Sequence, residues 1–445
     1  MDQWLQEGAE LLWSWPTMGL FLFVGLIYTF GLRGIQFRKL PDALGCISTY
    51  ESGNGMSSYS TLCTALAATI GTGNIVGVAT AVGTGGPGAL FWMLVAAVLG
   101  MGTQFAEGYL AVRYRTKGDK NIGGPFSYME KGLGKPWLGK LYGWITVCAG
   151  ILGVGTVTQV NSIAKAIEGI IPGGGTFAGI SVVGACAGFT VAVFAGLILM
   201  GGGKRIVKVC ETLVPIMSLL YLFCSFVLLV WNFNQIPESL SLILRSAFQP
   251  KAILGAGGGI CIRQVIRMGI SRGVFTNEAG MGTGAIAAAS GGESDPVRQG
   301  LITMSATFID TIVICTISGL CIIVTGVWES STEGGAMTDL AWKMGLPWNG
   351  TLSSYLLVIC LVFFAFATVI GWNFYGERCL MYLTGGKGIL LYRVGYLIAI
   401  LFGAFLSVSS VFYLADILNA LMALPNLTAL LLLRREVFAG IRKSS

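Results

Sequence analysis

Apolar positions in this chain do not alternate with polar ones at a strand or amphipathic-helix period; they run in long blocks separated by short polar connections. The blocks fall at about 17–32, 59–83, 88–112, 141–164, 177–200, 209–231, 253–290, 300–326, 352–376, 388–407 and 411–433. A helix rises 1.5 Å per residue, so about 20 apolar residues cross a hydrocarbon layer ~30 Å thick. The pattern predicts an all-α polytopic membrane protein with eleven spans. The seventh block is too long and too polar for one plain helix. Residues 1–16 carry Asp2, Glu7 and Glu10 and no Lys or Arg, unlike the positive start of a secretory signal.

Composition supports the lipid reading. Of 445 residues, 54% are hydrophobic and 11% charged, against about 25% charged in soluble chains. That is too few to solvate the surfaces of two or three water-soluble domains. Lipid removes the difficulty, because helices satisfy their own backbone groups there. The absence of histidine argues against His-based triads, histidine proton relays, haem and most zinc sites. A Gly269-Ile270-Ser271-Arg272-Gly273 match to the hydrolase elbow therefore lacks a base. The eleven cysteines are scattered singly through apolar blocks and read as small core residues.

The net charge of +7 points to topology rather than to nucleic acid. Connections after the odd-numbered spans, together with the C-terminus, hold 21 of the 28 Lys and Arg residues. The opposite set holds Lys165, Arg245, Lys251 and Lys343, and the seventh block itself carries Arg263, Arg267 and Arg272. The positive-inside rule then predicts an outside N-terminus and a cytoplasmic C-terminus. The expected organisation is 1–58, an extra first helix with its flanks; 59–231, a first five-span repeat; 232–252, an external connector; 253–433, a second repeat; and 434–445, a basic tail. Amphipathic pieces at Ile236 to Phe248 and Met337 to Met344 predict helices at the outer interface. In 113–140, Gly123-Gly124-Pro125-Phe126-Ser127-Tyr128 reads either as a loop packed on the protein or as a solvated connector.

Two blocks carry breaks. In the second, Thr69-Ile70-Gly71-Thr72-Gly73-Asn74 places glycines beside an asparagine at mid-membrane, so 70–74 is expected to unwind. Gly73 and Gly77, four apart, equally suit close helix packing. In the seventh, Gly273 to Gly284 holds Asn277 and Glu278 between glycines. A carboxylate at that depth marks function by default, unless Glu278 merely pairs with Arg272 or Arg267. Two interrupted helices, one opening each half, point to an inverted-repeat secondary transporter. An unwound turn bares N–H groups that suit a carboxylate and C=O groups that suit an ammonium or a sodium ion. A zwitterionic amino acid matches both ends.

The blocks GTGNIVGVATA (Gly71 to Ala81), GGPGALFWM (Gly85 to Met93), GGPFSYME (Gly123 to Glu130) and GVFTNEAGMGTG (Gly273 to Gly284) closely resemble the alanine or glycine:cation symporter family, across essentially the whole chain. The resemblance implies a leucine-transporter-type fold, ten core helices in two inverted repeats with one N-terminal extra, and sodium-coupled uptake of alanine, glycine or similar small neutral amino acids. It implies no organic cofactor. It places Thr69, Gly71, Thr72, Gly73 and Asn74 at the substrate's charged ends, with Gln159 facing the pocket from the fourth span. Phe275 and Thr276 match the seventh-span break, while Thr368 and Trp372 match the ninth span, Trp372 as the wall that limits side-chain size. The implied sodium ligands are backbone oxygens of Ala67, Ile70 and Ala365 with the Thr368 hydroxyl; Val369 stands where related transporters often have a further hydroxyl.

Glu107, Asp310 and Asp416 are further intramembrane acids. They are expected to pair with Arg263, Arg267 or Arg272; titration of one of them, or of Glu278, would instead permit proton coupling. An enzyme and a channel are the rivals from other classes. The first lacks a metal-ligand cluster and the second a repeated pore motif. Substrate preference among alanine, glycine and serine, stoichiometry and oligomeric state are left open by the sequence.

Overall fold

The computed structural model describes residues 2–48, 56–116, 121–171, 175–177, 180–249, 261–330 and 334–444. Residues 253–260 of the seventh block, and Lys117, Lys120 and Lys251 of the charge pattern, lie outside them. The described chain is helical but for a hairpin pairing Thr176–Phe177 with Ile180–Ser181.

Eight helices among the described residues are long and apolar enough to span a membrane, and a ninth span is the pair Ser58–Thr69 and Gly73–Gly85, bent by 55°. The remaining two of the eleven expected spans depart from a plain apolar helix for separate reasons. The seventh is split into Ile262–Asn277 and Thr283–Ser290, and the tenth, Ile389–Gly403, has only 15 residues.

Several limits differ from the hydropathy reading. The fourth span runs from Pro136 to Ile170 but is interrupted between Leu152 and Val157, where an unbroken helix is expected from sequence. The ninth extends over Gly350–Thr384, and the last runs from Val408 to Ser444, carrying helix through the basic tail. The eighth passes through a π-helical stretch, Phe308–Cys315, a wider turn with i→i+5 bonds that recurs at functional sites.

The connections segregate by parity. Arg115, after the third span, donates to the Gly291 and Glu293 carbonyls after the seventh, at 2.7 and 2.6 Å. Arg113 pairs with Glu436 near the C-terminus at 3.0 Å. Met56, before the second span, bridges to Gly291. On the opposite face Asn232, after the sixth span, donates to Gly345, before the ninth, at 2.7 Å. Odd connections thus share one face and even ones the other, as eleven spans require.

Burial sorts the spans into layers. The third and fourth are 67% buried over their apolar windows, the fifth and sixth 33%. The last two display Phe189, Phe194, Phe223 and Phe226 outward, as a lipid-facing surface demands. The two expected connector helices are present as Ile236–Phe248 and Gly334–Gly345. The second is packed into the protein rather than laid on an interface: Met337 and Trp342 are fully buried and the Thr338 hydroxyl reaches the Ile75 carbonyl at 3.4 Å. The Gly123 to Tyr128 segment takes the packed alternative. Phe126 and Tyr128 are buried, Phe126 stacking on Tyr382 at 4.5 Å.

Close backbone approach fixes the seventh span on the third. A Cβ on Gly269 would lie 2.4 Å from the Ala89 carbonyl oxygen and 2.7 Å from Trp92 Cβ, whereas one on Gly395 meets nothing within 4 Å. Gly269→Ala is therefore expected to destabilise by about 1–3 kcal/mol through overpacking. Gly395→Ala should be neutral. Thermal unfolding of both purified variants checks the contrast.

Candidate functional site

The second span unwinds because its backbone donors find side-chain partners outside the helix. Helix ends at Thr69, Ile70 is extended (φ −73°, ψ 92°), and winding resumes as a π turn over Gly73–Gly77. The Gly71 N–H donates to Asn74 Oδ1 at 2.9 Å and the Thr72 N–H to Gln159 Oε1 at 3.3 Å. In an uninterrupted helix those donors would serve the Ala67 and Ala68 carbonyls, which are thereby released. Glycine is required at 71 by space: a Cβ there would sit 2.5 Å from Thr368 Oγ1 and 3.3 Å from Gln159 Oε1.

Three other spans complete this turn. Gln159 stands just after the interruption of the fourth span and donates through Nε2 to the Val154 carbonyl at 3.1 Å, so one amide bridges two breaks. Thr368 of the ninth span donates to its own Phe364 carbonyl at 3.1 Å and approaches the Ile70 carbonyl at 3.4 Å. Asn74 Nδ2 donates to Asp310 Oδ1 at 2.7 Å and lies 3.2 Å from Cys315 Sγ, both in the π-helical stretch of the eighth span. Thr311 donates to the other Asp310 oxygen at 2.6 Å. The Thr72 hydroxyl is fully buried and has no hydrogen-bond partner among the described residues.

The seventh-span break is built from backbone of opposite hand. Glu278 (φ 53°), Gly280 (φ 88°) and Gly282 (φ 85°) all lie in the left-handed region, costly for any residue but glycine. Neighbouring spans hold it there. Gly280 N–H donates to Glu107 Oε1 at 2.9 Å, Asn426 Nδ2 donates to the same oxygen and to the Gly280 carbonyl at 2.8 Å each, and the Tyr142 hydroxyl donates to the Met281 carbonyl at 2.7 Å. The Tyr128 hydroxyl donates to Asn426 Oδ1.

Of the expected site residues, Ile70, Gly71, Thr72, Asn74, Gln159 and Thr368 form one bonded or touching group. Gly73 packs on Thr276 and Phe275, since a Cβ there would be 2.7 Å from Thr276 Cγ2 and 3.6 Å from Phe275 Cδ1. Ala67 lies against the ninth span, its carbonyl carbon 3.1 Å from where a Cβ on Gly371 would be. Thr69 turns its hydroxyl back to Ala65 at 3.3 Å. Ala365 is buried one turn before Val369. Trp372 is fully buried, four residues beyond Thr368, and donates to Glu278 Oε1 at 3.0 Å.

Among the intramembrane acids, Asp416 alone follows the expected pairing with an arginine. It pairs with Arg272 at 3.0 Å. Glu278 instead meets Trp372 and Thr283, Glu107 meets Gly280 and Asn426, and Asp310 meets Asn74 and Thr311. Sequence reasoning missed these partners because neutral donors at long sequence separation leave no charge pattern to read.

A cavity of about 620 Å³ opens beside this region, lined among others by Gly77, Asn161, Arg272, Asp339 and Phe412. Phe275 lies behind its lining residues Arg272 and Phe412. Its ring is tilted against Phe412 at 6.4 Å between centroids, with the Arg272 guanidinium 5.4 Å away, and backs onto Gly73.

Residues 1–444 match the model of the sodium:alanine symporter family. The chain belongs to that family. It is 40% identical to the sodium/alanine symporter AgcS of Methanococcus maripaludis, over 98% of this chain and 96% of that one. It is 36% identical to a probable sodium/glutamine symporter, GlnT, of Bacillus subtilis, over 97% and 88%. The crystal structure of MhsT in complex with L-phenylalanine superposes with a TM-score of 0.62 at 16% identity, covering 85% of this chain and 89% of MhsT. This member of the sodium:alanine symporter family is a multi-pass membrane transporter of leucine-transporter-type fold, not an enzyme.

Asn74 holds both the Gly71 donor and the Asp310 carboxylate. Asn74→Ala strands both, at about 1–3 kcal/mol for each buried group left unpaired. Its melting temperature should fall clearly below that of wild type, and Asp310→Ala in the same background should lower it little further. Additive losses would show that the two residues do not act as one unit.

Proposed function

We propose that this protein imports small neutral amino acids, alanine and glycine, coupled to sodium, by alternating access. One observation carries the reading: the Ile70–Thr72 turn bares backbone donors and carbonyls at one point, and Gln159 and Thr368 converge on it. The family model and the name of the Methanococcus relative support alanine and sodium in particular.

In this mechanism the substrate carboxylate takes the N–H groups of Gly71, Thr72 and Gly73, in place of the Asn74 and Gln159 oxygens. The ammonium faces the carbonyls at the end of the first half-helix. Phe275 and Thr276 cover the site and Trp372 limits the side chain. Sodium, a hard cation that prefers oxygen, sits between the second and ninth spans on Ala67, Ile70 and Ala365 carbonyls and the Thr368 hydroxyl. The 59–231 and 253–433 repeats move against each other around these breaks, and the cavity beyond Phe275 is the entry path from outside. The odd connections are cytoplasmic, in the inner membrane of a prokaryote.

A proton-coupled variant is the second reading. It is favoured by Glu107, Glu278 and Asp310, buried acids whose partners are all neutral donors.

In proteoliposomes, an inward sodium gradient should drive concentrative alanine uptake, and choline replacement should abolish it. Uptake that persists without sodium under a pH gradient would replace sodium with the proton reading. Gln159→Ala and Thr368→Ala should each lower kcat/KM for alanine by roughly tenfold or more, as losing a hydrogen bond worth about 1.5 kcal/mol implies. A single cysteine at Lys343, in an otherwise cysteine-free protein, should react with an impermeant reagent from outside the cell. One at Lys387 should react only after permeabilisation.

A further inference from the structure

Trp372 lies where three interrupted helices meet. It shares a helix face with Thr368, one turn earlier, which abuts Ile70 and Gly71 of the second span. A Cβ on Gly155, in the interruption of the fourth span, would lie 2.7 Å from Trp372 Cβ. Its indole N–H donates to Glu278 Oε1, in the break of the seventh, at 3.0 Å.

A large flat ring facing a pocket limits the size of what enters only if it does not turn. This one is fully buried, with its root against Gly155 and its ring edge-on to Tyr375, and the hydrogen bond fixes which way the indole N–H edge points. Glu278 supplies that bond from a constrained position. Its backbone is left-handed (φ 53°), its second oxygen accepts from Thr283 Oγ1 at 2.5 Å, and its side chain is buried. No Lys or Arg lies within ion-pair distance of it among the described residues; the Arg272 guanidinium, from the same helix, pairs with Asp416. Two neutral donors therefore hold the carboxylate in one orientation, and one of them is the wall.

We infer that Glu278 is a positioning residue that sets substrate size, acting through Trp372: it pins the indole edge so that the pocket admits an alanine-sized side chain and rejects longer ones. The inference rests on the reading of Trp372 as the pocket wall. Because the same carboxylate belongs to the seventh-span break, the wall is tied to the element that closes over the substrate, and the size limit applies in the closed state.

Substitution at Glu278 should change selectivity more than fold. Glu278→Leu keeps the bulk and removes both acceptors. Glu278→Gln keeps an amide oxygen for the indole and a group that reaches Thr283. The measured quantity is kcat/KM for alanine divided by kcat/KM for leucine, in proteoliposomes with a sodium gradient. Relative to wild type, E278L should lower this ratio by about tenfold, the scale on which a pocket resolves small differences in apolar side chains. E278Q should stay within about threefold. Thr283→Val, which frees one carboxylate oxygen and leaves the wall bond in place, should fall between them. An unchanged ratio in a transporting E278L overturns the inference, as does a loss in E278Q equal to that in E278L. If E278L is not recovered folded, T283V decides, and a wild-type ratio there overturns it. Wild-type protein that carries no neutral amino acid overturns the transport reading and this inference with it; wild-type transport with an unaltered ratio overturns this inference alone.

Discussion

Every interrupted helix in this protein poses one physical problem: peptide groups opened at membrane depth must find partners other than water. The structure answers with polar side chains, most of them from other spans. The two N–H groups opened at Gly71 and Thr72 go to amides, Asn74 and Gln159. The opened turn at Gly280 goes to Glu107 and Asn426, and the Met281 carbonyl to Tyr142. Asn74 answers from within the second span but is itself tied to Asp310 of the eighth, and Gln159, Glu107, Asn426 and Tyr142 reach across from other spans, so no break is a local event. A change in one is felt in the fourth, eighth, ninth or last helix through a named bond.

The ninth span is what makes these breaks one site. It is unbroken over 35 residues, so Thr368 and Trp372 hold a fixed spacing of about 6 Å along the axis. The first touches the second-span break and the second the seventh-span break. Tyr396, from the tenth span, adds a further tie, its hydroxyl donating to the Val369 carbonyl at 2.7 Å and lying 3.0 Å from the Gly155 carbonyl. One unbroken helix thus touches three interrupted ones.

Much of this was legible in the sequence, and the reason is chemical. Glycines at 71, 73, 280 and 282 announce backbone that a side chain would forbid, and the observed contacts and torsions show what forbids it. The parity of basic residues predicts connections that share a face, and Arg113 and Arg115 make those contacts. The interruption after Leu152 was not legible in the same way. Gly153 and Gly155 there resemble any small residues at a helix interface, and the bonds that hold the gap open come from Thr156, Thr158 and Gln159 folding back on it. The π-helical stretch around Asp310 is equally silent, since widening a turn by one residue leaves hydropathy unchanged. The partners of Glu107, Glu278 and Asp310 escaped for a further reason: charge complementarity is visible in a sequence, whereas an indole or an amide donor is not.

The proposed coupling follows from that shared geometry. If sodium takes the released Ala67 and Ile70 carbonyls while the substrate takes the Gly71 and Thr72 donors, both ligands stabilise the same unwound turn. Each then reduces the free energy needed to hold it open for the other, and by reciprocity the gain in affinity is mutual. Thr368 is the residue best placed to transmit it, because its Oγ1 approaches the Ile70 carbonyl on the sodium side while its bulk fills the space that glycine leaves at 71 on the substrate side. A transporter built this way needs no formal charge at its centre. The ion supplies the positive charge that a buried carboxylate group of the substrate requires, and the broken helix supplies the rest as dipoles.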